Sequence, residues 1–173
     1  YAWNARSRNK SGSPYKIMAA YSDDGGVTWG GVQDIFLAGT EWDEGCWEPA
    51  MLQLPSGELQ LYFANEYMVP DNQQHIVLMR SFNGGATWRQ PEVVSFRQGA
   101  RDGMPVPLCL KKNKGVVVVI EDNGLNGAFK PVIVGTSRKN NWKEGMVTAT
   151  SRNRWSALAA DEELDASVYA GAP

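Results

Sequence analysis

The sequence is poor in the residues that build metal centres. Its 173 residues include one histidine, His75, and two cysteines, Cys46 and Cys109. These match no metal-ligand spacing, so neither a metal ion nor another cofactor is expected. The two thiols allow one disulfide or none, and packed free cysteines are the expected state. His75 lies mid-strand beside Gln73-Gln74 and reads as structural. Charge of one sign is also scarce: 17 Lys and Arg against 19 Asp and Glu leave a net charge of −2. No basic footprint argues for nucleic acid or an anionic membrane as a partner. Long apolar runs are missing too. The longest, Val116-Val117-Val118-Val119-Ile120, is strand-length, whereas a helix that spans a bilayer takes about 20 residues. No secretory leader is visible. The chain opens on Tyr1-Ala2-Trp3 without a methionine, as an excerpt from a longer protein would.

Glycine and aromatics are plentiful, with 18 Gly, 7 Trp and 6 Tyr. Two stretches give them a pattern. Ser22-Asp23-Asp24-Gly25-Gly26-Val27-Thr28-Trp29 returns 59 residues later, from Ser22 to Ser81, as Ser81-Phe82-Asn83-Gly84-Gly85-Ala86-Thr87-Trp88. Both read S-x-[D/N]-x-G-x-T-W, and each follows a strand-like run. The paired glycines, with Gly26 and Gly85 at the shared position, supply positive φ at little steric cost. Asp24 and Asn83 carry short polar side chains that bond turn amides. Ser22, Ser81, Thr28 and Thr87 bond locally across the turn. Trp29 and Trp88 offer large apolar area to wedge beside a neighbouring sheet. Every one of these residues holds a turn, and none is needed for chemistry. A period of this size in a β-rich chain predicts repeated sheet units, the blades of a β-propeller. The two stretches resemble the Asp-box, or BNR, repeat of sialidase-like β-propellers.

The fold class is therefore all-β. Strands are predicted over 1–7, 15–21 and 32–37 in a first unit spanning 1–45. A second unit, 46–101, has strands at 50–54, 59–64, 75–80 and 92–96. A third, 102–168, has strands at 106–110, 116–121 and 131–136, and 169–173 opens a further blade. Where the third unit needs its box, Ser137-Arg138-Lys139-Asn140-Asn141-Trp142 keeps a Ser and a Trp but no glycine. Pro49, Pro105 and Pro173 each stand at the start of a first strand, where a missing N–H lies outside the ladder. The chain thus covers about two to three four-stranded blades. An open arc exposes strand edges and apolar wedges, so the remaining blades are expected outside this chain.

In a propeller, the starts of the first strands and the loops from second to third strands share one mouth. The box turns lie at the opposite rim. Glu48 stands at the second unit's entrance, and Glu121 closes the apolar run of the third. Two carboxylates at one mouth are what most glycosidases use, one as acid/base and one as nucleophile or water activator. The bland alternatives are an exposed strand-start carboxylate and a rim-exposed strand end. Arg101 and Asp102 either bind substrate hydroxyls or form a surface ion pair. Glu66 ends the second unit's second strand, as Glu121 does in the third, and either binds sugar or is a solvated loop charge. Trp47 stacks on a sugar or packs in the core. Arg6 is a further mouth candidate.

The run from Trp47 to Leu59, with Asp102-Gly103-Met104-Pro105-Val106 and Val119-Ile120-Glu121, is similar to the exo-α-1,5-L-arabinanase family of glycoside hydrolases (family 93). The ending Tyr169-Ala170-Gly171-Ala172-Pro173 resembles that family's entry to its next blade. The resemblance implies a six-bladed propeller and a retaining exo-glycosidase acting on α-L-arabinan or a related polysaccharide. It implies catalytic roles for Glu48 and Glu121, in an order left open, and a secreted or periplasmic location. The rival readings are a sialidase, which needs an arginine cluster, and a non-catalytic carbohydrate-binding propeller.

Overall fold

A computed structural model describes residues 1–6, 12–70, 72–125 and 128–159. The expected opening of a further blade at 169–173 lies outside them. Three antiparallel sheets follow one another along the chain. The first holds β1 (Ala2–Ala5), β2 (Lys16–Tyr21) and β3 (Gly30–Leu37). The second runs in order through β4 (Cys46–Gln53), β5 (Leu59–Asn65), β6 (His75–Ser81) and β7 (Glu92–Ser95). The third runs through β8 (Asp102–Cys109), β9 (Gly115–Leu125), β10 (Ala128–Ser137) and β11 (Arg154–Ser156).

The core lies between sheets. Successive side chains of a strand point to opposite faces, and the second sheet uses both. Leu61, Phe63, Val77 and Met79 join Ile17 of the first sheet and Ala38 just after it in one apolar cluster. Tyr62, Ala64, Ile76 and Leu78 join Val118, Ile120, Val132 and Val134 of the third in another. Burial on both faces is why β5 and β6 read as continuous apolar runs rather than alternating ones. Cys46 and Cys109 are free thiols. Burial, with Glu66 nearby, pushes the Cys46 thiol up to about 12. His75 pairs with Asn65 and packs edge-on to Phe96. Burial holds its pKa down at about 4, so it stays neutral and structural.

Both repeated turns form the same hydrogen-bond pattern. Ser22 Oγ accepts from Gly26 N at 2.8 Å, and Ser81 Oγ accepts from Gly85 N at 2.8 Å. Thr28 N donates to Asp24 at 2.9 Å, and Thr87 N donates to Asn83 Oδ1 at 3.0 Å. Gly26 and Gly85 sit at φ 91° and 90°. The bonds from Thr28 lower the Asp24 pKa, with Ser22 adding to them. The wedge role divides. Trp88 packs against the cluster shared by the first two sheets. Trp29 stays 52% exposed with the Tyr1 ring 6.0 Å away.

The degenerate third copy is a turn too. Asn141 and Trp142 take the positive φ that glycines take elsewhere. Its Trp142 is buried between the second and third sheets and donates from Nε1 to Tyr62 Oη at 2.9 Å. The wedge thus survives without the glycines.

Three strand assignments change. β11 was not foreseen, because three residues carry no readable period. β9 continues past Glu121 to Leu125, so Glu121 is not a strand end. Pro49 and Pro105 lie inside β4 and β8 rather than at their starts. Each sits in a register shift, between Trp47 and Ala50 and between Gly103 and Val106. A bulge leaves its extra residue unpaired, so the proline interrupts no ladder bond.

Two consequences are measurable. Trp142→Ala should lower unfolding stability by about 3–5 kcal/mol in urea titrations, through lost burial and an orphaned Tyr62 hydroxyl; a cost below about 1 kcal/mol contradicts the wedge role. Asp24 has a folded pKa below its unfolded value of about 3.9. Its contribution is full above that value and is lost as pH falls through the folded pKa. Asp24→Asn, which copies Asn83, should keep the turn and flatten the fall in urea midpoint between about pH 4 and 2. An unchanged acid slope contradicts it.

Candidate active site

The strand starts of β4 and β8, the end of β5 and the loop before β6 meet at one end of the sheets. The repeated turns, joining β2 to β3 and β6 to β7, lie at the other end. The bulges place the key groups. Glu48 and Met104 occupy the same bulge position in neighbouring sheets, each just before a proline. Both take left-handed backbone, at φ 57° and 46°. Non-glycine residues hold that conformation at a cost of roughly 1–3 kcal/mol, and such strain clusters at functional sites. The two bulges are tied together: Met104 N donates to Glu48 Oε2 at 2.7 Å.

Glu121 reaches the same spot from β9, where it pairs in register with Gly103. A methyl group on Gly103 would stand 3.6 Å from Glu48 Oε2 and 3.8 Å from Glu121 Oε2. The two oxygens therefore lie no farther apart than the sum of those lengths. The same methyl would meet Gln74 Nε2 at 2.8 Å. β8 thus passes close beneath the pair, with the Gln74 side chain filling the space beside Gly103. Glu121 is 4% exposed, which replaces the rim-exposed alternative. Glu48 as a residue is exposed, yet its carboxyl is turned onto the Met104 amide. Desolvation raises its pKa above the usual carboxylate value, Glu66 adds to the rise, and the Met104 bond and Arg101 offset part of it.

One wall of the mouth is a fixed polar chain. Trp47 Nε1 donates to Glu66 Oε2 at 2.8 Å, and Glu66 Oε1 is paired with Arg101 Nη2. Arg101 Nη2 also donates to Gln74 Oε1 at 2.7 Å, and Gln74 Nε2 donates to the Asp102 carbonyl at 2.9 Å. Glu66 is buried at 7% exposure, so it is no solvated loop charge. Register also corrects its supposed kinship with Glu121. Gly103 pairs with Glu121 and Trp47 with Ala64, so Ala64 stands where Glu121 does. Glu66 corresponds to Asn123, whose Oδ1 accepts from Arg101 N at 2.7 Å. Trp47 is half-buried, with the Arg6 guanidinium 5.9 Å from its ring.

Asp102 does not face the mouth. It is fully buried, and its oxygens take Ser95 Oγ at 2.7 Å and Arg154 Nη1 and Nη2 at 2.9 and 2.7 Å. Asp122, directly opposite it in register, binds the same Arg154 and also Arg97 at 2.7 Å. Two carboxylates facing across a ladder repel, and Arg154 resolves the repulsion. Burial disfavours its charge, and the two aspartates more than offset that, raising its pKa. Asp102 is thus neither a hydroxyl binder nor a surface ion pair. Arg154, Gln74 and Asn123 were not foreseen. Their signals are single polar residues whose partners lie 22 to 52 positions away. Among the described residues, no group of three or more His, Cys, Asp or Glu side chains is placed to hold a metal ion.

No protein-family model matches the chain, and no curated protein matches it significantly. Solved structures do. The chain is similar to the GH93 α-L-arabinofuranosidase of Fusarium graminearum in complex with arabinobiose, with a TM-score of 0.72 at 19% identity over 94% of this chain. A mutant of that organism's α-L-arabinofuranosidase bound to an iminosugar inhibitor gives 0.71 at 18%. Penicillium chrysogenum α-L-arabinanase complexed with arabinobiose gives 0.67 at 19%. In each case the match covers 45% of the other chain, so this chain spans less than half the length of the structures it resembles. Its three sheets are blades of a β-propeller of the kind these glycosidases carry.

Proposed function

We propose that this chain is part of a retaining exo-glycosidase acting on α-L-arabinan or a related polysaccharide, with Glu48 and Glu121 as its catalytic carboxylates. The observation that carries the reading is their common approach to Gly103. The ceiling it sets on their separation admits the spacing of about 5–5.5 Å used by retaining enzymes and leaves out the upper part of the inverting range, about 6.5–9.5 Å. In the retaining sequence one carboxylate attacks the anomeric carbon while the other protonates the departing oxygen. The second group then takes a proton from water as that water releases the sugar. The raised pKa of Glu48 and the near-complete burial of Glu121 suit two carboxyl groups with separate acid and base roles. Trp47, Glu66, Arg101 and Arg6 line the sugar side of the mouth in this reading. The structures that resemble the chain bind arabinobiose, which supports the choice of saccharide.

The remaining blades of the ring, six in all in this proposal, lie outside the chain. They pack on the apolar faces left open at its two ends, marked by Trp29 and Val32 on the first sheet and Leu108 and Trp155 on the third. With a polysaccharide as substrate, this reading makes the complete protein secreted or periplasmic.

Glu48→Gln and Glu121→Gln in the complete protein should each lower kcat on arabino-oligosaccharides by roughly 10²–10⁴-fold. Full activity in either variant sinks the assignment, and activity on sialosides instead would favour the sialidase reading. Saccharide binding without turnover in the wild type would leave the non-catalytic reading. The limb of the kcat/KM profile set by Glu48 should lie above the usual carboxylate value. It should move up in Arg101→Gln and down in Glu66→Gln, since the cation favours the ionised carboxyl and the neighbouring carboxylate opposes it. Shifts of the opposite sign contradict the electrostatic assignment.

A further inference from the structure

Trp42 is the most exposed tryptophan of the molecule's described residues, at 70%. Single exposed apolar side chains are common and need no explanation. This one differs in how it is held. It opens a 3₁₀ turn, Trp42–Glu44, on the approach to β4 at the mouth end of the sheets. The turn is pinned by its own bonds. Gly39 N donates to the Glu44 carbonyl at 3.0 Å, Glu44 N to the Glu41 carbonyl at 3.1 Å, and Thr40 N to Glu44 Oε2 at 3.3 Å.

The Trp42 ring leans on Trp47, with centroids 5.8 Å apart and planes at 54°. Trp47 is fixed in turn by Glu66 and by Tyr15, whose ring meets it edge-on at 5.1 Å. Its indole lies against the Gly45 backbone so closely that a methyl group there would stand 2.0 Å from the ring. An aromatic ledge thus steps outward from the residue beside Glu48 to an indole open to solvent. Its outer step belongs to neither core cluster.

We infer that Trp42 is an outer sugar-binding platform, stacking against a ring of an arabinan oligosaccharide beyond the bond that is cleaved. Pyranose and furanose rings present C–H-rich faces that bury well on an indole, while their hydroxyls stay wet. Aromatic rings supply large rigid contact area at little entropic cost, and a platform ordered before binding forfeits less on association. Glu41 and Asp43, its neighbours in the chain, are exposed carboxylates able to accept from sugar hydroxyls. The inference rests on the saccharide reading above for its ligand class, and on the ledge for its place.

The test compares ligands of different length in the complete protein. In Trp42→Ala, affinity for arabinotriose and arabinotetraose measured by calorimetry should fall roughly tenfold, with kcat/KM on the same sugars falling alike. A chromogenic aryl α-L-arabinofuranoside, which has no second sugar, should be turned over as in the wild type. Trp42→Tyr should restore most of the length dependence. Unchanged affinity for the longer sugars overturns the inference, as does an equal loss on the aryl glycoside. A wild type that binds the oligosaccharides at Trp42 without cleaving them overturns the hydrolase and keeps the platform. A wild type that cleaves them with no dependence on Trp42 does the reverse.

Discussion

The bond from the Met104 amide to the Glu48 carboxylate joins two adjacent sheets at their bulges. Other polar contacts also cross between the second and third blades, among them Trp142 with Tyr62 and Ser95 with Asp102, but this one sets the aim of a carboxyl group at the mouth. With it, the strained backbone of both bulges is locked against its counterpart. The Gly103 peptide then comes to lie beneath two carboxylates that are 73 positions apart in the chain, from Glu48 to Glu121. The polar chain from Trp47 through Glu66, Arg101 and Gln74 braces the same peptide from the side. The proposed site, assembled from three strands on two sheets, gains from such bracing, because a small displacement of a reacting group is costly to chemistry.

The Arg154 cluster shows what this arrangement costs. Asp102 and Asp122 flank the Gly103–Glu121 pair in register and are fully buried. Buried carboxylates are tolerable only when paired and hydrogen-bonded. One guanidinium from β11 serves both, with Ser95 from the second sheet and Arg97 beside it completing the set. Breaking such a pair by removing one partner typically costs about 3–5 kcal/mol. The third blade's outermost strand, only three residues long, is thereby coupled to the innermost one. That coupling gives β11 a reason to exist that its own hydrogen bonds would not supply.

Much of the blade pattern was legible. The paired turns announced themselves because their bonds are local: each lies within four residues, so side-chain type and spacing decide the geometry. The same locality explains the phase of the strands, and hence the mouth at which Glu48 and Glu121 meet. The failures share one cause. The burial of Asp102 is not legible in the sequence because its partner Arg154 is 52 residues away. Glu66 was matched to Glu121 because counting along the chain does not detect the register of Trp47 with Ala64. The place of Trp42 is not legible either, because nothing in its neighbours in sequence says that it leans on Trp47.

The sequence by itself determined the elements. Glycines in fixed turns, apolar runs of strand length and recurring prolines leave a chain little choice but to form short antiparallel sheets in series. The tertiary structure alone decided which polar groups are buried. A carboxylate's fate depends on a cation brought from another strand, and its aim on a bulge bonded to the next sheet. Those contacts are set by packing across sheets, where distance in space has no counterpart in distance along the chain.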